Sequence, residues 1–131
     1  MPGVLRQVIV DAANVVGSVP DGWWRDRRGA TERLRDGLVP YAEAGLPGYQ
    51  GPVEVVLVVE GAARGVEPVA GVRVEAATGS GDDLITELAA RAAAGGVPCV
   101  VVTADRELRG RVAAYGAECV GPRTVRRSAA P

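Results

Sequence analysis

Arg6-Gln7-Val8-Ile9-Val10-Asp11-Ala12-Ala13-Asn14 decides the fold: a β-branched apolar run ends directly on a carboxylate, with an amide three residues beyond it. The pattern recurs downstream. Val53-Glu54-Val55-Val56-Leu57-Val58-Val59 runs into Glu60-Gly61, and Cys99-Val100-Val101-Val102-Thr103 is followed by Ala104-Asp105. Another acidic pair, Asp82-Asp83, follows Gly79-Ser80-Gly81 and opens a helical pattern. If the three runs are parallel strands, their carboxyl ends share one edge, where open α/β sheets hold their ligands. Carboxylates crowded there repel one another unless a cation neutralises them, and an oxygen-only donor set suits Mg²⁺ or Mn²⁺. The pattern therefore points to metal-assisted phosphate chemistry.

Working outward, strands are expected at about 6–12, 53–59, 72–76, 98–103 and 118–120. Helices are expected from Thr31, as N-cap, to Glu43, from Asp82 to Ala94, and from Arg106 to Tyr115. Leu84, Ile85, Leu88, Ala89 and Ala92 form an apolar stripe on the second of these, which Gly95-Gly96 stops. Residues 45–52 are rich in helix breakers and read as a connector. Strands alternating with helices imply an α/β fold: a single three-layer α/β/α domain with a mostly parallel sheet of four to five strands. The domain is expected over residues 1–122, with 123–131 a mobile, Arg-containing tail.

Composition narrows the chemistry. The 131 residues suffice for one domain with its own core, and the chain has no His. That removes Ser-His and Cys-His catalysis and His-ligated zinc, leaving carboxylates and Arg to do any chemistry. A net charge of −1 argues against general capture of nucleic acid. Charge is uneven, however: Arg25, Arg27, Arg28, Arg33 and Arg35 cluster near Trp23-Trp24. This basic rim could meet phosphates while an indole stacks on a base, or it could be a solvated helix face. Adjacent residues do not share a face, so one Trp should enter the core and the other be exposed. Cys99 and Cys119 fit no metal or redox spacing and read as buried reduced thiols. No signal peptide or membrane span is evident, and a cytoplasmic location is expected.

Val8-Ile-Val-Asp-Ala-Ala-Asn14, Gly81-Asp-Asp-Leu-Ile85 and Val101-Val-Thr-Ala-Asp-Arg-Glu-Leu108 together resemble the NYN branch of PIN-like nuclease domains, with the YacP-like subgroup the nearest fit. The resemblance spans nearly the whole chain. It implies cleavage of RNA phosphodiesters with Mg²⁺ or Mn²⁺ as cofactor, and single-stranded RNA as the partner. Self-association into a homo-oligomer is left open. Carried over by position, Asp11 is the first-strand metal ligand and Asp82 or Asp83 the helix-opening acid. Asp105 is the acid after the fourth strand, and Glu60 an acid that only some members carry. Asp11, Asp82 and Asp105 are the expected catalytic set. Asn14, Thr103, Ser80, Trp24, Arg25, Arg27 and Arg28 are the expected substrate contacts. The chain departs from the pattern in ending soon after the last strand and in offering few aromatic residues.

Plainer roles compete. Asp82, Asp83 and Asp105 could simply cap helices, and Asn14 could hold a turn. Asp82 lies over the buried stripe, whereas Asp83 turns toward Glu87 and solvent. Asp11 is harder to explain away, because a carboxylate ending a buried strand is costly without a partner. A small phosphatase lacks support, since Asp11-Ala12-Ala13-Asn14 is not an Asp-x-Asp nucleophile motif. The remaining alternative is a non-catalytic relative that binds RNA or a protein.

Overall fold

The β-branched run at the start forms strand β1, Gln7–Asp11, in a computed structural model that describes residues 4–126. Helix α1, Ala12–Gly17, follows at once, with Asp11 as its N-cap. A 3-10 turn at Trp23–Arg25 leads into α2, Arg27–Ala44. Strands β2, Gly45–Leu46, and β3, Tyr49–Gln50, make a small antiparallel hairpin. Next come β4, Glu54–Val59, a 3-10 turn at Gly61–Ala63, and β5, Val72–Ala76. Helix α3, Gly81–Ala94, strand β6, Cys99–Val102, helix α4, Arg106–Ala113, and strand β7, Glu118–Val120, complete the main elements.

The main sheet has the order β5-β4-β1-β6-β7, and each pairing in it is parallel. Alternation along the strands divides the core between two faces. Val8, Val10, Leu57, Val100 and Val102 pack with α1 and α2, whereas Ile9, Val56, Val58 and Val101 pack with Ile85, Leu88, Leu108 and Val112 of α3 and α4. The expected three-layer α/β architecture is the one observed. Because every main strand runs the same way, the residues after β1, β4 and β6 emerge along one edge.

The structure departs from the sequence reading in several places. Residue 12, expected to close the first strand, instead opens a helical turn and a half that runs to Gly17. Helix α2 begins four residues before Thr31, and Asp26 is its cap, accepting from the Gly29 N–H at 2.9 Å. Thr31 is buried inside the helix, where its hydroxyl donates to the Arg27 carbonyl at 2.8 Å. Gly37 and Pro40 do not stop α2, because Leu34 and Leu38 anchor it to the core. The connector at 45–52 contains the hairpin. A Cβ at Gly45, whose φ is +76°, would come within 2.1 Å of the Tyr49 carbonyl oxygen, so glycine is required there.

The tail expected from residue 123 starts with ordered packing. Pro122–Thr124 form a 3-10 turn, Val125 is buried, and Arg126 donates to the Val15 and Val16 carbonyls at 3.1 and 2.7 Å and pairs with Asp21. Residues 127–131 of that tail lie outside the described residues. Cys99 and Cys119 are free and only partly buried; burial still pushes the Cys99 thiol up to about 11. No helix among the described residues is long and apolar enough to cross a membrane.

Candidate active site

Asp11 sits where β1 becomes α1, and it is 4% exposed. Its carboxylate is tied on both oxygens: Oδ2 accepts from the Thr103 hydroxyl at 2.9 Å, and Oδ1 from the Asn14 N–H at 3.4 Å. Thr103 is fully buried and works in two directions, because its Oγ1 also accepts from the Asp105 N–H at 3.1 Å. Its carbonyl accepts from Arg109 Nε at 2.9 Å. Asn14 reaches across in turn: its Oδ1 accepts from the Ala104 N–H at 2.8 Å. The first turn of α1 and the loop after β6 are thereby locked together around Asp11.

Glu60 follows β4 and approaches from the other side. Its carboxylate lies against the start of α3, so close that a Cβ at Gly81 would come within 2.5 Å of Oε1. A glycine opening α3 makes this approach possible, and the positive end of the helix dipole favours it. Asp82 follows in the first turn of α3, partly buried, while Ser80 caps that helix by accepting from the Asp82 N–H at 3.1 Å. Asp105 caps α4, accepting from the Leu108 N–H at 2.9 Å.

Electrostatics join these groups into one centre. Burial pushes the Asp11 carboxyl up to about 6; its hydrogen bonds from Thr103 and Asn14 oppose the rise, and the charges of Asp82 and Glu60 add to it. Asp82 is also raised, first by burial, then by Asp105 and Glu60, with Arg111 acting against them. Asp11, Glu60, Asp82 and Asp105 thus feel one another at the carboxyl edge of the sheet. Even so, no three acid or cysteine side chains among the described residues are gathered closely enough to hold a metal ion as they stand. The donors are all carboxylate oxygens, the type a hard divalent cation takes, so the residues fit such an ion in chemistry, with closure left to their side chains.

Asp83 belongs elsewhere. Its carboxylate is exposed and pairs with Arg111 at 2.9 Å, joining α3 to α4. Ser80 serves as a helix cap. The indoles divide as expected: Trp23 is half-buried against the core, and Trp24 is 51% exposed. They meet edge to face with centroids 5.8 Å apart. Arg27 lies over the Trp23 ring at 5.3 Å, Arg25 over Trp24 at 6.0 Å, and Arg28 donates to the Gly65 carbonyl at 3.2 Å. Arg109 and Arg111 have no expected role from the sequence, and Arg126 has one only as part of the Arg-containing tail. Arg111 and Arg126 act on groups far along the chain, which no local spacing announces, whereas Arg109 reaches back only to Thr103.

No family model and no curated protein matches this chain. Four solved chains do, two of them as follows. The crystal structure of Rae1 (YacP) from Bacillus subtilis is 18% identical, with a TM-score of 0.71 over 92% of this chain and 71% of that one. A single-substitution variant of the same protein gives 19% identity and a TM-score of 0.68 over 90% and 70%. The chain therefore has a YacP-like α/β fold, a parallel five-stranded sheet flanked by helices.

Proposed function

We propose that this protein is a divalent-metal-dependent ribonuclease acting on single-stranded RNA. The observation that carries the reading is the buried Asp11 carboxylate, held by Thr103 and Asn14 and facing the charges of Glu60 and Asp82. A fold that collects like charges at a sheet edge and buries one of them creates a site that favours a cation. Asp11, Asp82 and Asp105 would hold Mg²⁺ or Mn²⁺, with Glu60 joining them. Such an ion supplies an activated water and neutralises charge on the phosphate oxygens. The protein's own part is positional: Thr103 sets the Asp11 carboxylate, and Asn14 holds the Ala104 loop that carries Asp105 into place. Arg27, which lines the same hollow as Glu60, would contact phosphates together with Arg25 and Arg28.

Asp11→Asn should abolish Mn²⁺-dependent cleavage of a single-stranded RNA oligonucleotide while leaving the circular dichroism spectrum unchanged. Cleavage at the parental rate would remove Asp11 from the centre and the reading with it. A second reading, a non-catalytic domain that binds RNA or a protein, draws on the absence of a preassembled three-ligand set among the described residues. It expects RNA affinity that persists in EDTA and no turnover with either metal.

A further inference from the structure

Beside the acidic edge, a hollow of about 210 Å³ opens between α1, the start of α2 and the turn after β4. Ala12, Ala13, Val16 and Ala63 make its floor, Trp23 and Arg27 part of its wall, and Glu60 and Gly61 its border. Its position is fixed by the chain itself: Ala12 and Ala13 directly follow Asp11, and Gly61 directly follows Glu60. Anything seated there lies next to the carboxylates.

We propose that this hollow is a nucleobase subsite, seating one base of the RNA strand next to the scissile phosphate; the proposal rests on the ribonuclease reading above. Three observations select a base. The space is below the roughly 300 Å³ at which pockets begin to hold drug-sized ligands, so it takes a single small ring system. Its lining joins a methyl-rich floor to an indole, the surface on which planar heteroaromatic rings pack. Arg27 presents only donors and suits the ring nitrogens and carbonyls of a base, whereas the acidic border disfavours a bare phosphate. Trp23 is also preorganised. Arg27 lies over its ring, and the Trp24 ring meets it in a T-shaped arrangement at 85°. The subsite thus belongs to the half-buried Trp23, and the exposed Trp24 braces it.

The test uses a Trp24→Phe chain, in which Trp23 is the sole indole, titrated in EDTA with the four nucleoside 5′-monophosphates. Nucleotides are expected to quench Trp23 emission saturably, whereas ribose 5-phosphate and inorganic phosphate leave it unchanged. Ala13→Leu, which fills the hollow from an exposed position of α1, should weaken nucleotide binding by at least about fivefold, the lower end of what a base–aromatic contact contributes. Equal quenching by ribose 5-phosphate, or undiminished nucleotide affinity in folded Ala13→Leu, overturns the subsite. Since no cleavage is needed for this readout, a protein that never cuts RNA would defeat the ribonuclease reading while still returning a result here.

Discussion

Asp11 carries its charge at a cost that can be measured. Its carboxyl is raised from 3.8 to about 6, mainly by burial. The folded state therefore binds the proton more tightly than the unfolded chain. Stability from this group is intact below 3.8, falls as pH rises to about 6, and stays lower above that. The difference corresponds to about 3 kcal/mol for the ionised group. Asp11→Asn should accordingly raise the melting temperature at about pH 8, with the gain vanishing near pH 3.5. A gain of equal size at both pH values would mean that charge is not the cause. Thr103→Val removes the hydroxyl while keeping the shape. It should leave Asp11 short of one hydrogen bond, raise its carboxyl further, and shift the acid limb of the cleavage profile to higher pH.

At the scale of elements, the opening of α3 matters most. Gly81 lets Glu60 rest against the helix start, and a methyl group there would meet Oε1 at 2.5 Å. Gly81→Ala should displace the flexible Glu60 carboxylate with little loss of fold, because alanine favours the helix. The expected result is a higher Mn²⁺ concentration for half-maximal cleavage, with urea stability within about 1 kcal/mol of the parent. The α1 end supplies a second case. Arg126 binds the last carbonyls of α1, and Arg126→Ala should destabilise the fold by about 1.5–3 kcal/mol in urea titrations, the usual range for hydrogen bonds to a charged group.

These elements also show what a sequence can reveal. The apolar runs at 7–10, 54–59 and 99–102 are long and β-branched enough that strands, parallel order and the acid-bearing edge follow from them. Helix α1 is short and built from Ala-Ala-Asn-Val-Val-Gly, so its existence depends on Asp11 capping and on Val15 and Val16 reaching the core. The α2 start misled because Thr31 and Asp26 are both capable caps, and only packing distinguishes them. Helical spacing sets Asp82 over the buried stripe and turns Asp83 toward solvent, but it does not show which group Asp83 meets there. It is Arg111, from another helix, that draws Asp83 away. Partners of that kind leave no trace in local spacing.

For the whole molecule, the balance of charge matters more than its sum. Net charge is −1, yet four acids meet at one edge, with Arg27 near Glu60 in the lining of the adjoining hollow. A cation that binds only the folded state raises stability by mass action. Millimolar Mn²⁺ should therefore raise the melting temperature of the parent chain, and less so for Asp11→Asn. An unchanged parent at saturating metal would count against a shared cation site.

The bond between Thr103 and Asp11 spans 92 residues of chain. Until β6 docks beside β1, Asp11 remains a hydrated, ordinary acid, and its mutual repulsion with the others is not yet felt. The acidic edge is thus complete only once β6 has docked beside β1. Divalent ions should consequently act on the exit from the native state rather than on the approach to it: unfolding slows, while the refolding rate barely changes.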